Sequence, residues 1–190
     1  MSILLAKHLI DVNYTLVINS AIKDCHCLGL YSFIINQSPK IRLFIADENC
    51  ELRNNYNIEN PLIPIHAHKY DDVFLQVHGI LIHHIYQEGN GFYFPINKYT
   101  YSRLSDDISI NNLGKVNLEY LGSEQELKEL SAKCLHSVSI SSKGRCSWMI
   151  IEGKEDKSFE QVCYHRDLKF RKELYKPFPN AIEYLNNYFK

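Results

Sequence analysis

Residues 64–86, PIHAHKYDDVFLQVHGILIHHIY, hold five of the chain's nine histidines. His66 and His68 stand one residue apart, and Asp72 and Gly79 follow in the same stretch. On an extended strand alternate side chains share a face, so His66 and His68 project together with imidazoles near enough to bind one ion. Asp72 has the same parity, and a turn after His68 would swing its carboxylate onto that ion. Asp71, next door, is the other choice, as a ligand or as a partner for a histidine. Neutral imidazole with carboxylate suits Fe(II), Mn, Ni, Co or Zn, and a facial set leaves positions open for substrate or oxygen.

A complete site needs one more ligand. His136 is the best choice, because Leu135 and Val138 beside it suggest a strand entering the core. His78 and His84 share the parity of His66 and His68 and, with a tyrosine such as Tyr101, are the groups available for general acid or base work. His83 points the other way unless Gly79 shifts the phase of the strand. Tyr70, Tyr86, Phe92, Phe94, Tyr99, Tyr101 and Trp148 can wall a pocket for a small organic molecule, with Tyr86 and Trp148 as substrate contacts. Arg42 shares a strand face with Phe44 and Ala46. If that face lines the pocket it holds an anionic substrate; otherwise it is a solvated or ion-paired arginine on the outside. The plain alternative for the whole cluster is an exposed HisXHis turn capped by Asp71 and Asp72. The coincidence of Asp72, Gly79 and His136 favours metal.

The elements that must position these groups are mostly strands. Residues 2–24 fit a helix broken near Asn13, 29–36 and 40–47 read as paired strands about the turn at 37–39, and 49–60 as a loop. Gln87 to Gly91 carries a turn signal before aromatic strands at 92–94 and 99–101, and 105–114 reads as a loop. A strand is expected over 115–121. Ser123 and Glu126 have the form of a capping box for a short helix or an irregular excursion over 123–132. Residues 134–141 and 146–153 read as a hairpin, 158–164 as a last strand and 180–189 as a closing helix. Eight to ten short strands with helices near the ends argue for a mainly β chain, an antiparallel barrel or jelly roll.

The spacing of His66, His68, Asp72 and Gly79 resembles the first motif of the cupin superfamily, which has His, any residue, His, three or four residues, an acid, six residues and Gly. His136, with SerTrpMetIleIleGluGly at 147–153, resembles the second. The resemblance spans roughly residues 40–164 of a single domain, 1–190. It departs in carrying Asp72 where Glu is usual, and in lacking the Pro and Gly before His136. It implies a cupin-like barrel holding a divalent metal, Fe(II) before Zn, Mn or Ni, and an enzyme acting on a small-molecule substrate, first of all a non-haem Fe(II) dioxygenase. An isomerase, lyase or hydrolase using Zn or Mn as Lewis acid, or a ligand-binding or sensing module without catalysis, are the other readings. Because Asp is one methylene shorter than Glu, a site of His66, His68 and His136 alone stays open; such a site resembles that of the thiol dioxygenases among cupins.

Composition bounds these readings. At 190 residues, 45% apolar with 13 Tyr and 9 Phe, the chain has the makings of a core. A net charge of -1, with basic residues scattered, gives no footprint for nucleic acid. No apolar run has membrane-spanning length and no export signal opens the chain, so a cytoplasmic protein is expected. Its six cysteines then read as reduced thiols, including Cys25 and Cys27 around His26, which lack a second pair at structural-zinc spacing. An exposed strand edge would allow a homodimer.

Overall fold

The computed structural model describes residues 2–53, 56–102, 107–125, 127–141, 143–158, 162–165 and 174–190, with the side chains of 99–102 and 107–110 outside the description. Two helices, α1 (Ser2–Val12) and α2 (Tyr14–Ser20), break at Asn13 and lead into β1 (Ile22–Lys23), β2 (Leu30–Gln37) and β3 (Lys40–Ala46). Then come β4 (Ile65–His66), β5 (Tyr70–His78), β6 (Leu81–Ser102), β7 (Asp107–Gln125) and β8 (Glu129–Leu130). After these follow β9 (Leu135–Ile140), β10 (Cys146–Glu155), β11 (Cys163–Tyr164), β12 (Lys176–Pro177) and α3 (Ala181–Tyr188). The chain is mainly β, and its strands form two antiparallel sheets. One has the order β12-β1-β2-β3-β10-β5-β8, the other β11-β4-β9-β6-β7, with β11 also pairing the far half of β6. No helix among the described residues is long and apolar enough to cross a membrane.

The seven-stranded sheet is apolar on both faces, which is why β2 and β3 are dense in Ile, Leu and Phe. Tyr31, Phe33, Ile35, Leu43, Ile45 and Met149 pack beneath the three helices. The alternate residues Leu30, Phe44, Phe74 and Trp148 meet Leu81, Val138 and Ile140 of the second sheet. A third cluster, Ile65, Tyr86, Phe94, Leu118 and Tyr164, lies around the five-stranded sheet.

Several sequence expectations need correction. The glycine-rich stretch 87–91 does not turn the chain; β6 runs through it with a register shift between Glu88 and Phe92. Gly91 sits so close to Leu118 that a Cβ would lie 2.0 Å from its carbonyl oxygen, so a bulge takes the place of a hairpin end. Residues 107–114, expected as loop, are strand, and Ser123 pairs with His84 rather than capping a helix. The strands β9 and β10 are not a hairpin: β9 pairs with β6 and β4, β10 with β3 and β5, so the turn between them passes from one sheet to the other.

Candidate metal centre

The centre sits where the chain crosses between the sheets. In β4, His66 lies directly opposite His136 of β9, so the two rings share a face as cross-strand neighbours. The next residues leave that sheet, and at Tyr70 the chain joins the other as β5. His68 lies on this crossing, its carbonyl accepting from the Lys133 amide at 3.1 Å. Asp72 follows on the inner face of β5, opposite Glu152 of β10. The close fit there depends on Gly153, where a Cβ would stand 2.2 Å from the Asp71 carbonyl oxygen.

The result is a cluster of three imidazoles, His66, His68 and His136, with ligand atoms all within 4.8 Å of one another. His66 Nε2 is 3.0 Å from His68 Nε2, which is 3.3 Å from His136 Nε2. Nitrogens about 2.1 Å from a shared ion would be roughly 3.0 Å apart at right angles and roughly 3.4 Å apart in a tetrahedron. The spacing therefore fits one divalent ion.

The outer nitrogens say which way the lone pairs face. His66 Nδ1 lies 2.8 Å from the Pro64 carbonyl oxygen, which can only accept, so the proton sits on Nδ1. His68 Nδ1 donates in the same way to Asp72 Oδ2. Both Nε2 atoms then present bare lone pairs to each other, an arrangement that repels unless a cation lies between them. His136 Nδ1 meets His83 Nδ1 at 3.3 Å. Burial, joined by the charge of His68, pulls His66 down to about 3, and burial holds His136 well below the usual imidazole range. His66 and His136 are thus neutral at pH 7, the form a metal takes.

Asp72, the carboxylate expected on the ion by its spacing, stands behind His68 instead. It is 2% exposed, and among the described residues its Oδ1 has no hydrogen-bond partner. A buried carboxylate on the far nitrogen of a ligand fixes the ring and offsets the charge of an ion, as outer partners of metal-bound histidines do. Asp71 points elsewhere, accepting from the Ala132 amide at 2.8 Å.

No family model and no curated protein matches the chain.

The other residues singled out from the sequence scatter. His78 is carried away by a bulge between Ser147 and Trp148 of β10, which turns it toward α3; its ring lies 5.4 Å from Tyr188. His84 faces outward, bonded to Ser139 Oγ at 2.8 Å, and Tyr86, also on the outer face, shares a 2.7 Å hydrogen bond with Tyr56. The side chain of Tyr101 lies outside the described residues. Trp148 stacks on Phe44 on the inner face, ring centroids 5.4 Å apart, and Arg42 lies on that face too. His83 does face the centre: Gly79, at φ +68, ends one strand and restarts the count, which is the phase shift on which its orientation depended. His26, exposed and at φ 70 on the loop between β1 and β2, has its Nδ1 2.7 Å from the Tyr175 hydroxyl.

Proposed function

We propose that this protein is a metal-dependent enzyme of cupin-like construction acting on a small molecule, with a non-haem Fe(II) dioxygenase as the first reading. The observation that carries it is the meeting of three imidazoles with ligand atoms within 4.8 Å of one another, two of them oriented through Nδ1 by Pro64 and Asp72 so that Nε2 faces the others. His66, His68 and His136 would hold the ion, which when bound supplies redox chemistry toward oxygen and open positions for a substrate. The chain's own part is to hold and to exclude. Asp72 keeps the His68 ring oriented, His83 backs His136, and Phe74, its ring 4.6 Å from His83 and 6.4 Å from His136, closes the inner side to water.

A second reading rests on the ligand set itself. Three neutral ligands leave the full charge of the ion in place, which suits Zn or Mn acting as Lewis acid in an isomerase, lyase or hydrolase. A sensing module that binds a ligand without converting it is the third. Elemental analysis of purified protein, followed by oxygen uptake with thiols, amino acids and phenolics, separates them. Iron with substrate-dependent uptake supports the dioxygenase, and oxygen-independent turnover with zinc or manganese supports the Lewis acid. Unchanged ligand affinity and biological effect in a metal-free His66→Ala variant would support the sensor.

A further inference from the structure

The five-stranded sheet ends on β7, and among the described residues no strand pairs with the other edge of β7. A bare edge carries a row of backbone donors and acceptors that a further strand can take up, so proteins commonly blunt it with charges, bulges or short length. β7 is long, Asp107–Gln125, and its own irregularities fall at two points. The register against β6 shifts at Ile96/Asn97 and at Ile85/Tyr86, which leaves Leu113 and Leu121 as the extra residues. Gly114 and Gly122, at φ +133 and +143, follow them. Between these bulges β7 runs from Gly114 to Tyr120 without an extra residue.

That segment alternates cleanly. Val116, Leu118 and Tyr120 turn to the cluster of Tyr86 and Phe94, with Leu118 buried and the other two half-buried at its rim. Lys115, Asn117 and Glu119 turn the other way and are exposed. Lys115 lies over the Tyr93 ring at 5.1 Å, and Glu119 accepts from Gln87 Nε2 at 3.0 Å. Among the described residues neither has an ion-pair partner. Leu113 and Leu121, one beyond each end, are 52% and 54% exposed.

The order Leu113, Lys115, Asn117, Glu119, Leu121 is its own complement when reversed. Set antiparallel to itself about a two-fold axis through Asn117, the edge places Lys115 against Glu119 of a second copy, Glu119 against Lys115, and each exposed leucine against the other. On the opposite face Val116 meets Leu118, and Tyr120 meets Gly114. A Cβ at Gly114 would find nothing within 4 Å, so the ring has room to lie over the glycine. Neighbouring registers lose this match. An axis at Lys115 or Glu119 sets like charges opposite each other, and one at Val116 or Leu118 leaves both charges opposite uncharged residues.

We propose that β7 is a dimer edge: two copies of this chain pair their β7 strands antiparallel about Asn117 and join their five-stranded sheets into one. The partner is a second copy because the edge matches itself in both charge and apolar residues. The metal-centre reading plays no part in this.

Full-length protein is followed by analytical ultracentrifugation across micromolar concentrations, beside Lys115→Glu and Glu119→Lys, each alone and as an equimolar mixture. The parent should sediment as a dimer. Each variant alone sets like charges across the axis twice and should weaken the dimer by about 10- to 100-fold. Mixed, the two variants present opposite charges at both pairs, so a heterodimer should form within a few-fold of the parent's affinity. The double variant, with the charges exchanged within one chain, should return to that affinity too, and it decides the matter if circular dichroism shows a single variant misfolded. A monomeric parent, a dimer indifferent to both single substitutions, or, among folded variants, failure of mixing or exchange to restore association would each overturn the proposal.

Discussion

His83 and His84 are neighbours in β6, both buried and both drawn down to about 4, yet they serve different chemistry. His84 bonds Ser139 Oγ at 2.8 Å and the Tyr120 hydroxyl at 3.3 Å, and stacks on Tyr56 with centroids 3.4 Å apart. A hydroxyl donates or accepts as needed, so either tautomer of His84 is satisfied. His83 meets another imidazole, His136, which belongs to a group of rings with lone pairs turned inward. Such a group is satisfied by a cation. Residue type, burial and acidity are alike on the two faces, and the partner separates structural histidine from chemical histidine.

The sharpest way to break this contrast is to remove one histidine from each side. His136→Ala should lower metal affinity by more than about 100-fold, beyond what loss of an outer partner usually costs, whereas His84→Ala should leave metal stoichiometry unchanged in elemental analysis. If His84→Ala lost the metal, the division between the two faces would be mistaken. Next in size, Asp72→Asn should weaken metal binding by about 10- to 100-fold, measured by competition with a chelator, because it disturbs the His68 tautomer without removing a ligand.

Acid offers a test in which the two faces should agree. The unfolded chain takes up protons on these histidines near pH 6.5, whereas folded His83 and His84 resist protonation until about pH 4. Their contribution is therefore present above pH 6.5 and lost as pH falls toward 4. Denaturant melts of chelated protein should show about 2 kcal/mol of destabilisation per histidine between pH 7 and pH 5. The slope should lessen equally in His83→Asn and His84→Asn. With saturating zinc the loss on acidification should be steeper, since protons then compete with the ion at His66, His68 and His136. Smallest of all, His84→Ala should cost about 1–3 kcal/mol of stability by stranding the Ser139 and Tyr120 hydroxyls.

The sequence carried the three imidazoles but not their surroundings. His66 and His68 were legible because two residues of extended chain put both rings on one side, and His136 because apolar neighbours marked a strand bound for the core. Parity failed wherever the strand was interrupted. Asp72 belongs to the other sheet, since β4 ends at His66; a bulge rotates His78 away and the turn at Gly79 exchanges His83 with His84. The mainly β character and the helices at the ends were likewise legible from alternation and composition. The sheet change after β9 was not, because a short polar turn looks the same whether it joins paired strands or passes between sheets. His26 gave no local signal: a non-glycine residue at φ 70 is held there by tertiary contacts such as Tyr175.

The crossing at residues 67–69 has a further consequence, for the order of assembly. His66 and His136 come from one sheet, while the Asp72 carboxylate that orients His68 comes from the other. Neither sheet alone carries the complete set, so an ion gains its full grip only after the two have docked. Bound metal would then act as a clasp on that docking step, and amide exchange in β5 and β9 should slow together when it is added.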